Sequence, residues 1–249
     1  MTMNSIRHDT VRAFPCAAPA APVVTRALLE LGGAEALLKK DAPCAKLLTD
    51  AERAASLEAI LRVRPAGELW IFAYGSLIWN PALKSAERRT ARVNGWRRSF
   101  CLSMTAGRGT PNAPGLVLGL DQGGSCLGAT CRIAEEDLAT ELPILWRREM
   151  MLGGYIPRWV ELIDDDGVVF GNAIAFTIDT QSQHYAGSLP LQVVVNRLAT
   201  AAGGWGSSAD YLFQTRDGLR ARGIPDPDLE RLAALVEAAQ LGLDLPRVA

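Results

Sequence analysis

The sequence predicts an α+β fold in which helices at both ends of the chain flank a strand-rich middle that rolls into a small closed sheet. Three observations carry this prediction. Short strand-like runs recur between residues 69 and 178 with Gly, Pro and Asp between them, a spacing typical of barrels. One helical stretch, 135–152, interrupts them, and helical patterning takes over from residue 189 onward. Strands, an inserted helix and then terminal helices fit α+β better than a doubly wound sheet.

The elements follow in order. Residues 1–24 hold small residues but no continuous hydrophobic segment, and read as a floppy leader. Residues 25–39 carry a helical pattern, and Thr49-Asp50-Ala51-Glu52 is a capping box before a second helix that ends near Pro65-Ala66-Gly67. The chain therefore divides into a leader with a helical extension, 1–66, and a main unit, 67–249. Strands are expected at 69–74, 91–104, 115–121, 126–133, 159–163 and 168–178. Pro143 is expected to start the second half of the helical stretch. Helices are expected at 191–202, 207–221 and 226–241, the last after the breaker Gly223-Ile224-Pro225.

Composition narrows the function classes. With 249 residues, 49% hydrophobic and 21% charged, the chain can bury a substantial core. A net charge of −1 and the lack of a long Lys/Arg run argue against nucleic acid. No apolar run reaches the roughly 18 residues that cross a bilayer, so no membrane association is expected. The five cysteines are scattered without a CxxC pair, and only His8 and His184 are available beside them, so a zinc site is not expected. Cys101 and Cys131 read as small apolar residues of a reduced, cytoplasmic protein. His184 reads as a solvated loop residue, and Ser76 lacks the GxSxG elbow of a hydrolase. The glycine-rich 202–208 stretch has no strand before it and no phosphate-loop pattern; Ser207 or Ser208 reads as a helix cap there.

Two stretches point to chemistry. In WIFAYGSLIWN, residues 70–80, an apolar strand breaks at Gly75-Ser76. Glycine permits positive φ and close approach, and successive N–H groups of the Tyr74–Leu77 turn can converge on an anion such as a carboxylate; a tight turn capped by Ser76 is the plainer alternative. In LWRREMMLGGY, helical spacing places Leu142, Leu145, Glu149 and Leu152 on one stripe, so Glu149 points inward. A buried acid needs a partner or takes a raised pKa. Arg147 and Arg148 are both aimed away from the stripe, which favours a functional carboxylate over a structural ion pair. Gly153-Gly154 stops the helix, and Tyr155 is placed to line the same cavity.

Phe72-Ala73-Tyr74-Gly75-Ser76-Leu77-Ile78-Trp79-Asn80-Pro81, Gly95-Trp96-Arg97-Arg98, Arg108-Gly109-Thr110, Pro114-Gly115-Leu116-Val117-Leu118-Gly119-Leu120, Leu145-Trp146-Arg147-Arg148-Glu149-Met150, Tyr185-Ala186-Gly187 and Asp210-Tyr211-Leu212 resemble the ChaC family of γ-glutamylcyclotransferases, with the motifs in order from about Leu69 to near Leu235. The helical lead-in is similar to that of bacterial members. The resemblance implies a mixed β-barrel with flanking helices, and it makes 67–249 the catalytic domain. It also implies a cofactor-independent lyase that splits glutathione into 5-oxoproline and cysteinylglycine. On that reading Glu149 is the catalytic proton carrier, and the N–H groups of Tyr74, Gly75, Ser76 and Leu77 hold the substrate's α-carboxylate. Tyr155 and Tyr211 are wall residues; Arg108 either meets the glycine carboxylate of glutathione or is an exposed loop arginine. The partner is a small-molecule substrate, and the chain is expected to be a monomer or weak dimer. Two alternatives remain open: a cyclotransferase for γ-glutamyl amino acids or γ-glutamylamines, and a non-enzymatic regulator linked to cation transport.

Overall fold

The computed structural model describes residues 24–243. The expected leader, apart from Val24, lies outside the described residues, as do Cys16 and His8. The extension consists of α1 (Arg26–Glu30), α2 (Gly33–Asp41) and α3 (Asp50–Arg62). Five strands, β1 (Leu69–Ala73), β2 (Glu87–Met104), β3 (Gly115–Ile133), β4 (Tyr155–Ile163) and β5 (Val169–Ile178), close a barrel in the order β1-β3-β2-β4-β5. The barrel is mixed: β1 joins β5 in parallel, while β1–β3, β2–β3 and β4–β5 are antiparallel. The inserted helix α4 (Leu138–Glu149) follows a short 3-10 turn, and α5 (Leu191–Thr200), the two-residue strands β6 (Ala202–Gly203) and β7 (Gly206–Ser207), α6 (Ser208–Arg220) and α7 (Pro227–Gln240) complete the chain.

β1 is buried along its whole length because both of its faces are covered. Alternate side chains of a strand point to opposite sides. Trp70 and Phe72 accordingly join the cluster that fills the barrel and runs on to Val195, Leu198, Leu212 and Val236 of the C-terminal helices. Leu69 and Ile71 face outward and pack with Leu142, Leu145 and Trp146 of α4. The Trp146 ring meets Phe176 of β5 edge-on at 5.2 Å between centroids. The extension seals this outer layer: Trp146 Nε1 donates to Ser56 Oγ at 3.2 Å and Trp159 Nε1 to Ile60 O at 3.0 Å. Together these contacts fix α4 against β1, and so fix where its last residue lies.

The capping signals form as expected. Thr49 with Glu52 and Ser207 with Asp210 make reciprocal capping boxes; Asp226, expected as the first residue of the last helix, is its cap. Several boundaries differ from the sequence expectation. The helix expected at 25–39 is split by Gly32, whose left-handed φ of 71° separates α1 from α2. The strands expected at 115–121 and 126–133 are one strand, since Gly123 and Gly124 take positive φ opposite the bulge at Gly95 and the ladder bends without ending. β4 starts at Tyr155 rather than 159 and includes Pro157. Its pairing with β2 is confined to Arg92↔Ile163, so no ladder hydrogen bond to β2 is needed from the proline. Pro143 lies inside α4 rather than beginning a new helix; it and Ala139, whose carbonyl it leaves free, are both exposed to water. Helix α4 ends at Glu149, so Leu152 lies beyond the expected stripe. The glycine-rich 202–208 segment follows α5, with no strand before it as expected; within it β6 and β7 pair as a small hairpin, and Ser207 at the end of β7 caps α6.

Candidate active site

The last turn of α4 delivers Glu149 to the end of β1, where the chain turns through Tyr74, Gly75, Ser76 and Leu77. These four residues, Glu149, Tyr155 and Tyr211 line one small cavity. The expected inward aim of Glu149 holds, with its side chain 12% exposed. Burial raises its pKa above the ordinary 4.5, and the neighbouring Arg148 guanidinium opposes that rise.

Arg148 corrects the sequence reading. It was expected to aim away from Glu149; instead its Nε lies 2.9 Å from Glu149 Oε1, with its own side chain 7% exposed. Both residues are helical, and their spacing fixes only the directions in which the side chains leave the backbone; the long arginine side chain bends round to bring its guanidinium back to its neighbour. The pair has ion-pair distance without hydrogen-bond alignment, and Oε1 receives no donated N–H. Arg148 spends its other nitrogens on the turn, donating from Nη2 to Ser76 Oγ at 2.9 Å and from Nη1 to Asn80 O. It thereby ties the end of α4 to the loop after β1.

Gly75 is needed for close approach, not for a left-handed backbone. It is absent from the positive-φ residues, whereas a Cβ there would sit 2.6 Å from the Tyr211 hydroxyl oxygen. Among the described residues, the N–H groups of Gly75, Ser76 and Leu77 donate to no backbone carbonyl, while Ile78 N–H turns back to Gly75 O at 2.9 Å. The Ser76 N–H is directed at the Tyr211 hydroxyl, which leaves the N–H groups of Gly75 and Leu77 at the cavity edge. The tyrosine hydroxyls close it: Tyr74 donates to Phe176 O at 2.6 Å and Tyr155 to Leu118 O at 2.9 Å. Burial pushes the Tyr74 and Tyr155 pKa values well up and that of Tyr211 to about 12, so all three stay neutral beside the acid.

Glu149, Ser76, Tyr155 and Tyr211 also border a second, larger cavity that opens next to the first. Arg108 lines only this second one. It is buried, not an exposed loop arginine, and donates from Nη1 to Ser207 O at 3.0 Å with its guanidinium 5.8 Å from the Tyr211 ring centroid. Trp79, Trp205 and Arg148 share this lining and were not read as site residues from the sequence. Trp79 stands in the motif after the turn and was within reach of that reading; Trp205 comes from the β6–β7 hairpin, and nothing local marks it. His184, expected in solvent, is 9% exposed and burial lowers its pKa; it lines neither of these cavities. No cluster of three or more His, Cys, Asp or Glu side chains is placed to hold a metal among the described residues.

The closed mixed barrel with its flanking helices has the fold of solved γ-glutamylcyclotransferase structures. The crystal structure of the yeast γ-glutamylcyclotransferase specific to glutathione superposes with a TM-score of 0.62 at 20% identity, covering 69% of this chain and 96% of that one. The family model described as ChaC-like protein matches residues 69–239, and the chain belongs to that family. The glutathione-specific γ-glutamylcyclotransferase of Escherichia coli K12 is 46% identical over 193 residues, 77% of this chain and 83% of that protein. Human glutathione-specific γ-glutamylcyclotransferase 1 is 32% identical over 181 residues, 72% of this chain and 80% of that protein.

Proposed function

We propose that this protein degrades glutathione to 5-oxoproline and cysteinylglycine, with Glu149 carrying the proton. The substrate brings its own nucleophile, since the α-amine of a γ-glutamyl amide can reach its γ-carbonyl and close a five-membered lactam. Holding the chain bent supplies a large part of the barrier reduction, because amine and carbonyl then meet at near-attack distance. Glu149 takes a proton from the α-amine as its nitrogen bonds to the carbonyl carbon, and returns it to the cysteinyl nitrogen as the amide C–N bond breaks. No water is consumed.

One observation carries this reading: Glu149, its proton affinity raised by burial, lines the same cavity as the Tyr74–Leu77 turn, whose Gly75 and Leu77 N–H groups donate to no backbone carbonyl. The turn fits the α-carboxylate, and the adjoining cavity with Arg108 fits the cysteinylglycine half and its terminal carboxylate. The 46% identity to the Escherichia coli enzyme supports glutathione as the substrate. We further read the protein as cytoplasmic and as a monomer or weak dimer. The free cysteines among the described residues support a reducing location.

Mass detection of 5-oxoproline after mixing the protein with glutathione alone tests the assignment. Turnover of glutathione well above that of γ-glutamylalanine is the expected result, and absence of any 5-oxoproline defeats it.

A further inference from the structure

Arg98 lies on β2, outside the cavity that holds Glu149, yet it is built into the same turn. Its Nε donates to Tyr74 O at 2.6 Å, its Nη2 to Leu127 O at 2.7 Å and its Nη1 to the Asp226 carboxylate. The side chain is 9% exposed. Asp226 is fixed in turn, since its other oxygen accepts Leu229 N–H at 2.9 Å at the start of α7. A buried guanidinium, held by its own carboxylate, is therefore directed at the carbonyl where β1 ends.

The consequence follows from peptide geometry. In a trans peptide the C=O and the next N–H point in opposite directions, and no peptide among the described residues is cis. Arg98 lines a groove that does not include Tyr74 or Gly75, while those two residues line the Glu149 cavity. Turning the Tyr74 carbonyl toward Arg98 thus turns the Gly75 N–H toward the cavity. A cation on the carbonyl also polarises the peptide and makes that N–H a stronger donor. We propose that Arg98 is a positioning residue for substrate binding, aiming the Gly75 N–H at the α-carboxylate of the γ-glutamyl group. The inference rests on the assignment of the Tyr74–Leu77 turn as carboxylate holder made above.

The test compares glutathione with its analogue in which the γ-glutamyl α-carboxylate is a carboxamide, using wild type, Arg98→Lys and Asp226→Asn. Wild type should prefer glutathione, and each variant should lose about tenfold in kcat/KM on glutathione, mostly as a raised KM, with little loss on the carboxamide. Equal losses on both substrates overturn the role of Arg98 while leaving the turn assignment intact. Equal use of both substrates by wild type overturns the turn assignment, and no turnover of either by wild type overturns the proposed activity; the inference falls with each. A measurement on the unaltered protein covers variants that fail to fold: the Gly75 amide proton should move downfield when 5-oxoproline, which keeps the carboxylate, is added. An unmoved Gly75 resonance at saturating 5-oxoproline overturns the proposal.

Discussion

At the scale of single residues, the chemistry rests on a carboxylate that must be ionised to accept a proton. Burial lifts the Glu149 pKa, so activity should fall on acidification with a midpoint above the ordinary carboxylate value of 4.5. The sign is fixed by the role: the ionised form is the base, and protonation removes it. Glu149→Gln keeps the shape and loses the base, and should lower kcat by about 100-fold or more in the protein that remains folded, with a lowered melting temperature because the buried Arg148 loses its counter-charge. A normal kcat in that variant would remove Glu149 from the chemistry. Gly75→Ala places a methyl 2.6 Å from the Tyr211 hydroxyl and should raise KM, with partial recovery in the Gly75→Ala/Tyr211→Phe double variant, measured by steady-state kinetics. The inward aim of Glu149 was legible from its helical spacing to Leu142 and Leu145, which are 2% and 0% exposed. Its pairing with Arg148 was not, because helical spacing fixes where a side chain leaves the backbone and not where a long, flexible one ends. Gly75 was legible as a required glycine, but through crowding against a side chain 136 residues away, which no local pattern contains.

Elements bring together what residues cannot reach alone. Asp41, the last residue of α2, accepts Gly107 N–H at 2.8 Å and Gly204 N–H at 2.7 Å through one oxygen. It thereby fastens the loop that carries Arg108 to the hairpin that carries Trp205, and both border the outer cavity. Asp41→Ala should leave the Glu149 chemistry in place and loosen this wall, raising KM for glutathione severalfold and costing about 1–2 kcal/mol of stability in a denaturant titration. Unchanged KM in a folded variant would separate the extension from substrate binding. Helix starts were legible because caps are local: Thr49, Ser207 and Asp226 each act on an N–H three residues on. The length of β3 was not, because whether Gly123-Gly124 ends a strand or bends it is decided by the partner strand, where Gly95 makes the matching bulge.

Over the whole molecule, closure of the sheet gives β1 two covered faces, and the extension supplies part of one cover. Leu48, Leu57, Ile60 and Leu61 pack onto the cluster formed by Leu69, Ile71, Trp146 and Phe176. A chain beginning at residue 67 should therefore melt about 10 °C lower or more than the full chain, since several half-buried Leu and Ile side chains lose their cover. Equal melting temperatures would show that 67–249 stands as an independent unit. The barrel as such was legible from strand spacing, whereas its parallel β1–β5 seam was not, because pairing partners distant in sequence leave no periodic trace. The same burial that builds this core also disarms its thiols. Cys101 and Cys131, pushed up to about 12 and about 11, stay protonated at neutral pH, and burial raises Cys126 as well. A catalyst for a sulfhydryl tripeptide thus keeps these three sulfurs from attacking the oxidised, disulfide form of that tripeptide, so swings in the oxidation state of the surrounding pool would leave its interior unmodified.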